Sequence, residues 1–273
     1  MATTAPPTAP PQRQTTNASG LTLGRAPATS GKRIGIYGPG GCGKTSLASL
    51  LPSSAFFDLD DSLNELGLKN DAVLGVGNWA DMRKALQADI WSGTKNIIID
   101  SATAAEEMAV KHTLDTVMAS QDKKVFKANN IEDYGWGKGY QHVFDTFLCL
   151  LGDLDAHIRA GRNVVLIMHD CVTNVPNPSG DDYMRYEPRL QSPNSGKASI
   201  RLRVREWLGS LFCISYDVET KDGKGRGCGT RTIYPNEAPH CMAKSRSKSG
   251  SPTLQPLEFI KDDSALWNLL FQK

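Results

Sequence analysis

The chain lacks any uninterrupted apolar stretch near the ~20 residues that a membrane helix requires, and its first residues lack the charged, apolar, small-residue order of an export signal. Both absences predict a cytoplasmic protein without a membrane partner. No two of the six cysteines form a C-x-x-C pair. Cys228, Cys241 and the adjacent His240 match no standard zinc-finger spacing, so the thiols read as reduced core residues. Charge of one sign is also scarce. The formal net charge is +2, too small to imply a polyanion partner by itself. The charge is uneven, however: Arg201 to Lys248 carries ten Lys or Arg against five Asp or Glu. That excess fits either a nucleic-acid surface or an ordinary solvated basic face.

Large apolar residues are nearly missing from the first 30 positions, which are rich in Ala, Thr, Pro, Ser and Gln. Such a segment cannot bury enough surface to offset chain entropy, so residues 1–30 read as a disordered tail and 31–273 as one folded domain. From Arg33 onward, strands alternate with helices. Strands are predicted at Arg33–Tyr37, Ala55–Leu59, Asn96–Asp100 and Asn163–Met168. Helices are predicted near Thr45–Leu51, Trp79–Ile90, Ala104–Met118, Tyr140–Ala160 and Ser199–Leu208. A Pro/Gly/Asn-rich loop is expected over Cys171–Ser195. Short strands are expected at Leu211–Tyr216, Arg231–Tyr234 and Cys241–Ser245, before a terminal helix at Asp262–Phe271. The pattern predicts an α/β fold with a mainly parallel sheet, helices on both faces and short antiparallel strands near the C-terminus.

The strand–turn–helix at Arg33–Leu51 contains Gly38-Pro39-Gly40-Gly41-Cys42-Gly43-Lys44-Thr45, a full match to G-x-x-x-x-G-K-[ST], followed by Ser46. Glycines let the backbone curl its N–H groups toward a phosphate, and the following helix presents its positive end. Lys44 is the residue to reach the β- and γ-phosphates, and the Thr45 hydroxyl the one to ligate Mg²⁺. The motif therefore predicts Mg-ATP bound over Gly38–Ser46. Ile97-Ile98-Ile99-Asp100-Ser101 reads as the partner strand, whose terminal Asp100 holds the Mg²⁺ shell, caps the next helix, or both. Asp58 and Asp60 lie two apart at the end of a predicted strand and so project to one side. Asp60, nearer the strand end, is the candidate to orient or deprotonate the attacking water; capping of the turn by Asp60 and Asp61 is the bland alternative. His169, directly after the strand Val164–Met168, is a candidate sensor of the γ-phosphate.

This succession of P-loop strand, acid-ended strand, Asp-Ser strand and strand with a polar end resembles the RecA-like ATPase core. The chain further resembles the RecA-like nucleotide-binding proteins of bacteriophages, some of them recombinases or single-strand annealing proteins. The resemblance is carried by Tyr134-Gly135-Trp136-Gly137-Lys138-Gly139-Tyr140, Leu166-Ile167-Met168-His169, Asp182–Pro188, Arg205-Glu206-Trp207 and Ala243-Lys244-Ser245-Arg246, across about residues 32–250. Two positions depart from RecA: Asp60 stands where that family has Glu, and His169 where it has amides.

The resemblance implies an ATP-hydrolysing DNA recombination protein that binds single-stranded DNA and promotes pairing or annealing. The N-terminal tail is a candidate tether for a partner such as a single-strand-binding protein, though its composition specifies none. It also implies that two segments, about 121–139 and 171–196, face DNA. Their cations Lys123, Lys124, Lys127, Lys138, Arg185, Arg189 and Lys197 are then phosphate contacts, whereas Trp136 and Tyr140 read as packing residues. Lys244 and Arg246 alternate on a predicted strand. By resemblance they act in trans on a neighbour's γ-phosphate, which implies a homo-oligomeric ring or filament; a solvated basic edge is the alternative. A hexameric helicase or loader ATPase, and a P-loop small-molecule kinase, are the rival functional readings.

Overall fold

A computed structural model describes residues 30–121, 124–194, 196–221, 223–246, 253–260 and 262–271. Of the first 29 positions it describes only the backbone of Thr15–Thr16 paired with Thr22–Leu23. The rest of the segment read as a disordered tail lies outside the described residues, as does Lys123.

Five parallel strands form the centre: β1 (Arg33–Tyr37), β2 (Ser54–Asp58), the short β3 (Asp71–Ala72), β4 (Asn96–Asp100) and β7 (Asn163–Met168). Between β4 and β7 in sequence lies a hairpin of β5 (Met118–Gln121) and β6 (Lys124–Lys127). Beyond β7 come β8 (Asp170–Val175), β9 (Tyr183–Pro188), β10 (Ser210–Lys221), β11 (Lys224–Tyr234), β12 (Lys244–Ser245) and β13 (Leu257–Glu258). The main sheet runs β13-β11-β10-β1-β7-β4-β2-β3, with β12 paired to β10. β7 therefore sits between the P-loop strand β1 and the acid-ended strand β4, in parallel register with both. This is the mixed α/β fold with a mainly parallel sheet expected from the sequence; β10 joins β1 in parallel, and β11, β12 and β13 are added by antiparallel pairing.

Side-chain alternation divides the core in two. Ile97, Ile99, Val164, Leu166 and Met168 face one cluster; Ile98, Val165 and Ile167 face the other. Both faces of β4 and β7 are dry, which is why these strands read as continuous apolar runs. The first face is covered by α3 (Trp79–Gln87), α4 (Ala102–Thr116) and α5 (Lys138–Arg159), through Met82, Leu86, Ala105, Ala109, Phe147 and Leu154. The second is covered by α1 (Lys44–Ser49) and α7 (Ala265–Phe271), through Leu47, Ala48, Leu266 and Trp267. Trp267 adds a hydrogen bond from its indole N–H to the Leu47 carbonyl at 2.7 Å. The C-terminal helix thereby braces the helix that follows the P-loop. No helix among the described residues is long and apolar enough to cross a membrane.

Three segments differ from the sequence reading. The expected loop over Cys171–Ser195 folds largely as the β8–β9 hairpin, paired from Asp170↔Pro188 to Val175↔Tyr183. The expected short strands at Leu211–Tyr216 and Arg231–Tyr234 are the inner halves of a longer ribbon, β10–β11, whose outer halves are polar and Gly-rich and so carried no strand signal. Finally, Trp136 does not pack. It is 99% exposed at φ 52°, between Gly135 at φ 68° and Gly137 at φ 72°. Three consecutive residues at positive φ carry the indole off the surface. Tyr140, by contrast, is partly buried and donates its hydroxyl to Glu132 at 2.5 Å.

Candidate nucleotide site

β1 ends at the sheet's C-terminal edge and passes into Gly38–Gly43, after which α1 starts at Lys44. Gly43 sits at φ 98°, and a Cβ there would lie 2.7 Å from the Phe259 ring and 3.0 Å from the Arg231 guanidinium. Both the conformation and the space require glycine. Gly40 and Gly41 face open space instead: no heavy atom comes within 4 Å of a Cβ built on Gly40, and only the Tyr216 hydroxyl, at 3.6 Å, approaches one on Gly41. The N–H groups of Gly40, Gly41 and Gly43 take no hydrogen-bond partner among the described residues. The Lys44 side chain is buried, and its ammonium donates to the carbonyls of Gly38 and Pro39, each at 2.8 Å. A concave row of free amides and a buried cation is the donor set a polyphosphate needs.

Thr45 Oγ1 donates to Asp100 Oδ2 at 2.6 Å, so the two oxygens expected to serve Mg²⁺ are adjacent. Asp100 is 2% exposed at the end of β4. Burial, reinforced by the nearby Asp60 and Asp58 charges and only partly offset by the Thr45 bond, pushes its carboxyl up to about 6. The hydroxyl and carboxylate are hard oxygen donors of the kind Mg²⁺ prefers, and among the described residues no cationic side chain bonds the buried carboxyl. The residues present therefore fit the ion. Capping of α4 falls to Ser101, whose Oγ accepts from Ala104 N at 3.1 Å; its peptide bond to Asp100 is cis. Asp100 thus leaves the cap to its neighbour.

Asp60 reaches the cleft by a route other than strand alternation. β2 stops at Asp58, and Asp60 belongs to the turn beyond it. Asp58 is the structural acid: its carboxylate accepts from Ser62 N at 2.8 Å and Leu63 N at 3.1 Å, at the start of the short helix α2 (Ser62–Glu65). Asp61 stands at the N-cap position without a side-chain cap bond. Asp60 is left to face His169, with Oδ2 3.5 Å from Nε2. The adjacent His169 imidazole holds the Asp60 carboxyl below the ordinary range, against the opposing effect of burial. The His169 N–H donates to Thr103 Oγ1 at 3.1 Å and its carbonyl accepts from Arg189 N at 2.8 Å. The candidate sensor is thereby tied to both α4 and the end of the β8–β9 hairpin.

Lys44, Thr45, Asp60, Asp100 and His169 line one cleft of about 310 Å³, together with Gly40, Gly41, Gly43, Ser46, Ser62, Glu65, Leu66 and Ile167. Sequence reasoning missed Glu65 and Leu66. Glu65 ends α2 and Leu66 follows it, and the position of that helix follows from the Asp58 cap and from no motif. It also missed Arg231, whose Nη1 donates to the Cys42 carbonyl at 2.8 Å across a separation that only the β10–β11 ribbon closes. A second, larger cavity of about 670 Å³ lies between α4 and the segment 189–194, where Glu106 accepts from Gln191 N at 2.6 Å and burial pushes its carboxyl up to about 7.

The cations expected to meet DNA divide into two groups. Lys124, Lys138, Arg189 and Lys197 are exposed. Arg185 is not available: its side chain is 11% exposed and pairs with Glu187 and Glu237, and Glu187 in turn pairs with Arg201 at 2.5 Å. Lys127 is exposed but engaged with Asp115 at 2.8 Å. The trans-acting pair also separates. Lys244 donates to the carbonyls of Arg205 at 2.8 Å and Leu208 at 2.7 Å, closing the end of α6 (Ile200–Trp207). Its ammonium satisfies the orphan carbonyls of a helix C-terminus. β12 ends at Ser245, so Arg246 follows the strand and is exposed.

Residues 30–247 match the family model described as AAA domain. No curated protein matches the sequence. Among solved structures, the crystal structure of a KaiC-like protein from the hyperthermophilic archaeon Pyrococcus horikoshii OT3 aligns over 76% of this chain and 79% of its own, at 11% identity and a TM-score of 0.39. That likeness is too loose to carry an argument.

Proposed function

We infer that this chain, which belongs to the AAA domain family, binds Mg-ATP in the 310 Å³ cleft and hydrolyses it in step with single-stranded DNA, as a recombination protein that promotes pairing or annealing. One observation carries the ATPase reading: five side chains from four separate segments, Lys44 and Thr45, Asp60, Asp100 and His169, line one cleft. A Gly-rich structural turn would not assemble two carboxylates and an imidazole opposite its lysine.

The roles follow from position. The free amides of Gly40, Gly41 and Gly43 and the Lys44 ammonium neutralise the phosphate chain. Thr45 and Asp100 hold Mg²⁺, which when bound supplies charge neutralisation between the phosphate oxygens. Asp60, ionised at neutral pH, accepts a proton from the attacking water as its oxygen bonds to the γ-phosphorus and the bond to the β-phosphate oxygen breaks. His169 orients Asp60 and, through the Arg189 N–H on its own carbonyl, links the state of the cleft to the β8–β9 hairpin.

The DNA reading rests on the resemblance to phage recombination proteins and on the exposed Lys124, Lys138, Arg189 and Lys197. Exposed Arg246 is the residue offered to a neighbouring copy in a ring or filament. The test is the ATPase rate with and without single-stranded DNA, beside Lys44→Ala. Stimulation by DNA that disappears in Lys44→Ala supports the coupled reading. A Lys44-dependent rate indifferent to DNA removes the coupling and leaves the ATPase.

A further inference from the structure

The groups gathered for the γ-phosphate end all stand on one side of the P-loop strand. Asp100 ends β4, His169 follows β7 and Asp60 lies beyond β2; in the sheet these strands lie to one side of β1, with β10 on the other. A nucleotide whose terminal phosphate meets those groups extends its remaining atoms across the P-loop toward β10. On that side, β10 and β11 rise past the sheet edge as a ribbon in which Tyr216 is directly paired with Arg231. Directly paired residues of antiparallel strands project to the same face, so both side chains approach the P-loop together.

Arg231 is immobilised. Its Nη1 bonds the Cys42 carbonyl at 2.8 Å, and its guanidinium lies over the Phe259 ring at 4.7 Å. Tyr216 is placed but not consumed. Its hydroxyl is the nearest group to the open side of Gly41, at 3.6 Å from a Cβ built there. Tyr216 is 45% exposed, and its hydroxyl has no hydrogen-bond partner among the described residues. The ladder register shifts between Tyr216 and Val218, which is the signature of a β-bulge that re-aims a side chain. The extra residues are on β11, where Cys228, Gly229 and Thr230 stand opposite the single Asp217, and the Asp217 carboxylate accepts from the hydroxyls of Thr230 at 2.6 Å and Thr232 at 2.8 Å. A tethered bulge therefore adjoins a nearly half-exposed aromatic side chain beside the P-loop glycine.

We propose that Tyr216 is the platform for the nucleotide base, so that the β10–β11 ribbon supplies the preference for a purine triphosphate while the P-loop supplies only phosphate binding. The proposal rests on the ATP reading of the cleft. An aromatic face accepts any base by stacking but gains most from the larger purine.

The test measures binding of ATP and of inorganic tripolyphosphate, each with Mg²⁺, to the full chain, Tyr216→Ala and Tyr216→Phe. Tyr216→Ala is expected to weaken ATP about tenfold and to bind tripolyphosphate as the parent does. Tyr216→Phe, which keeps the ring, is expected to retain ATP affinity. Parental ATP affinity in Tyr216→Ala overturns the proposal. So does an equal loss of both ligands, which marks a disturbed P-loop. A parent chain that binds tripolyphosphate and not ATP also overturns it, with the phosphate site intact. A parent that binds neither overturns the ATP reading itself.

Discussion

The Thr45 hydroxyl donates to the Asp100 carboxylate across 2.6 Å, joining the first turn after the P-loop to the tip of a strand that is two places away in the sheet. The Asp100 carboxyl is nearly inaccessible to water, and it is this contact that partly relieves the burial of its charge.

The raised Asp100 value fixes the sign of a pH effect. An acid whose folded pKa is about 6, above its unfolded one of about 4, binds protons more tightly in the folded state. Its contribution is most favourable below the unfolded value and is lost as pH rises toward 6. Asp100→Asn, which cannot ionise, is therefore expected to be more stable than the parent at pH 8, by on the order of 2 kcal/mol, and close to it at pH 4. Thermal melts without nucleotide or Mg²⁺ check this. The same variant is expected to lose hydrolysis. In the parent, Mg²⁺ affinity should increase as pH rises through about 6, because the ion needs the carboxylate.

Asp60→Asn and His169→Ala separate chemistry from binding. Loss of the carboxylate is expected to lower kcat by at least 10²-fold with ATP affinity nearly unchanged, since general-base contributions are of that order. His169→Ala removes the imidazole that lowers the Asp60 pKa. The acidic limb of the kcat profile should then move to higher pH. An unmoved limb with a lower plateau would remove His169 from the titration and leave it a scaffold residue.

The three central strands were legible residue for residue at Arg33–Tyr37, Asn96–Asp100 and Asn163–Met168. They are buried on both faces, and so announce themselves as unbroken apolar runs. The P-loop was legible because phosphate binding constrains residue type at each position. Asp60 was read for its place in a strand, yet it reaches the cleft because Asp58 caps α2 and frees the turn. The β8–β9 hairpin escaped for a different reason. Arg185 and Glu187, on alternate positions of β9, look like solvated charges until Arg201 and Glu237 arrive from distant segments. Long-range ion pairing leaves no periodic trace.

Those pairings make a prediction about which cations matter to DNA. Lys124→Ala and Lys138→Ala are each expected to weaken single-strand binding and to reduce the salt slope by about one, without a change in melting temperature. Arg185→Ala is expected to lower the melting temperature instead, because it removes one of the two guanidinium groups that pair with the buried Glu187 carboxylate. A salt titration and a melt on each variant distinguish the two kinds of arginine and lysine.

Lys244→Met tests the C-terminal cap. The variant keeps the aliphatic stem and removes the donors to Arg205 and Leu208, with an expected loss of about 1–2 kcal/mol in chemical denaturation. If Lys244→Met keeps full stability and loses only the ATPase rate of the assembled protein, the cap is incidental and the trans role is restored.

Trp79, Trp91, Trp207 and Trp267 lie within the core at 2–9% exposure, and Trp136 alone stands in water. The chain thus carries two optically distinct populations: four indoles shielded from acrylamide or iodide and one that meets them at nearly every collision. Fractional quenching isolates Trp136 without any label. A ligand that lands on the Gly135–Gly137 turn shifts and shields that one emission, whereas unfolding exposes the other four.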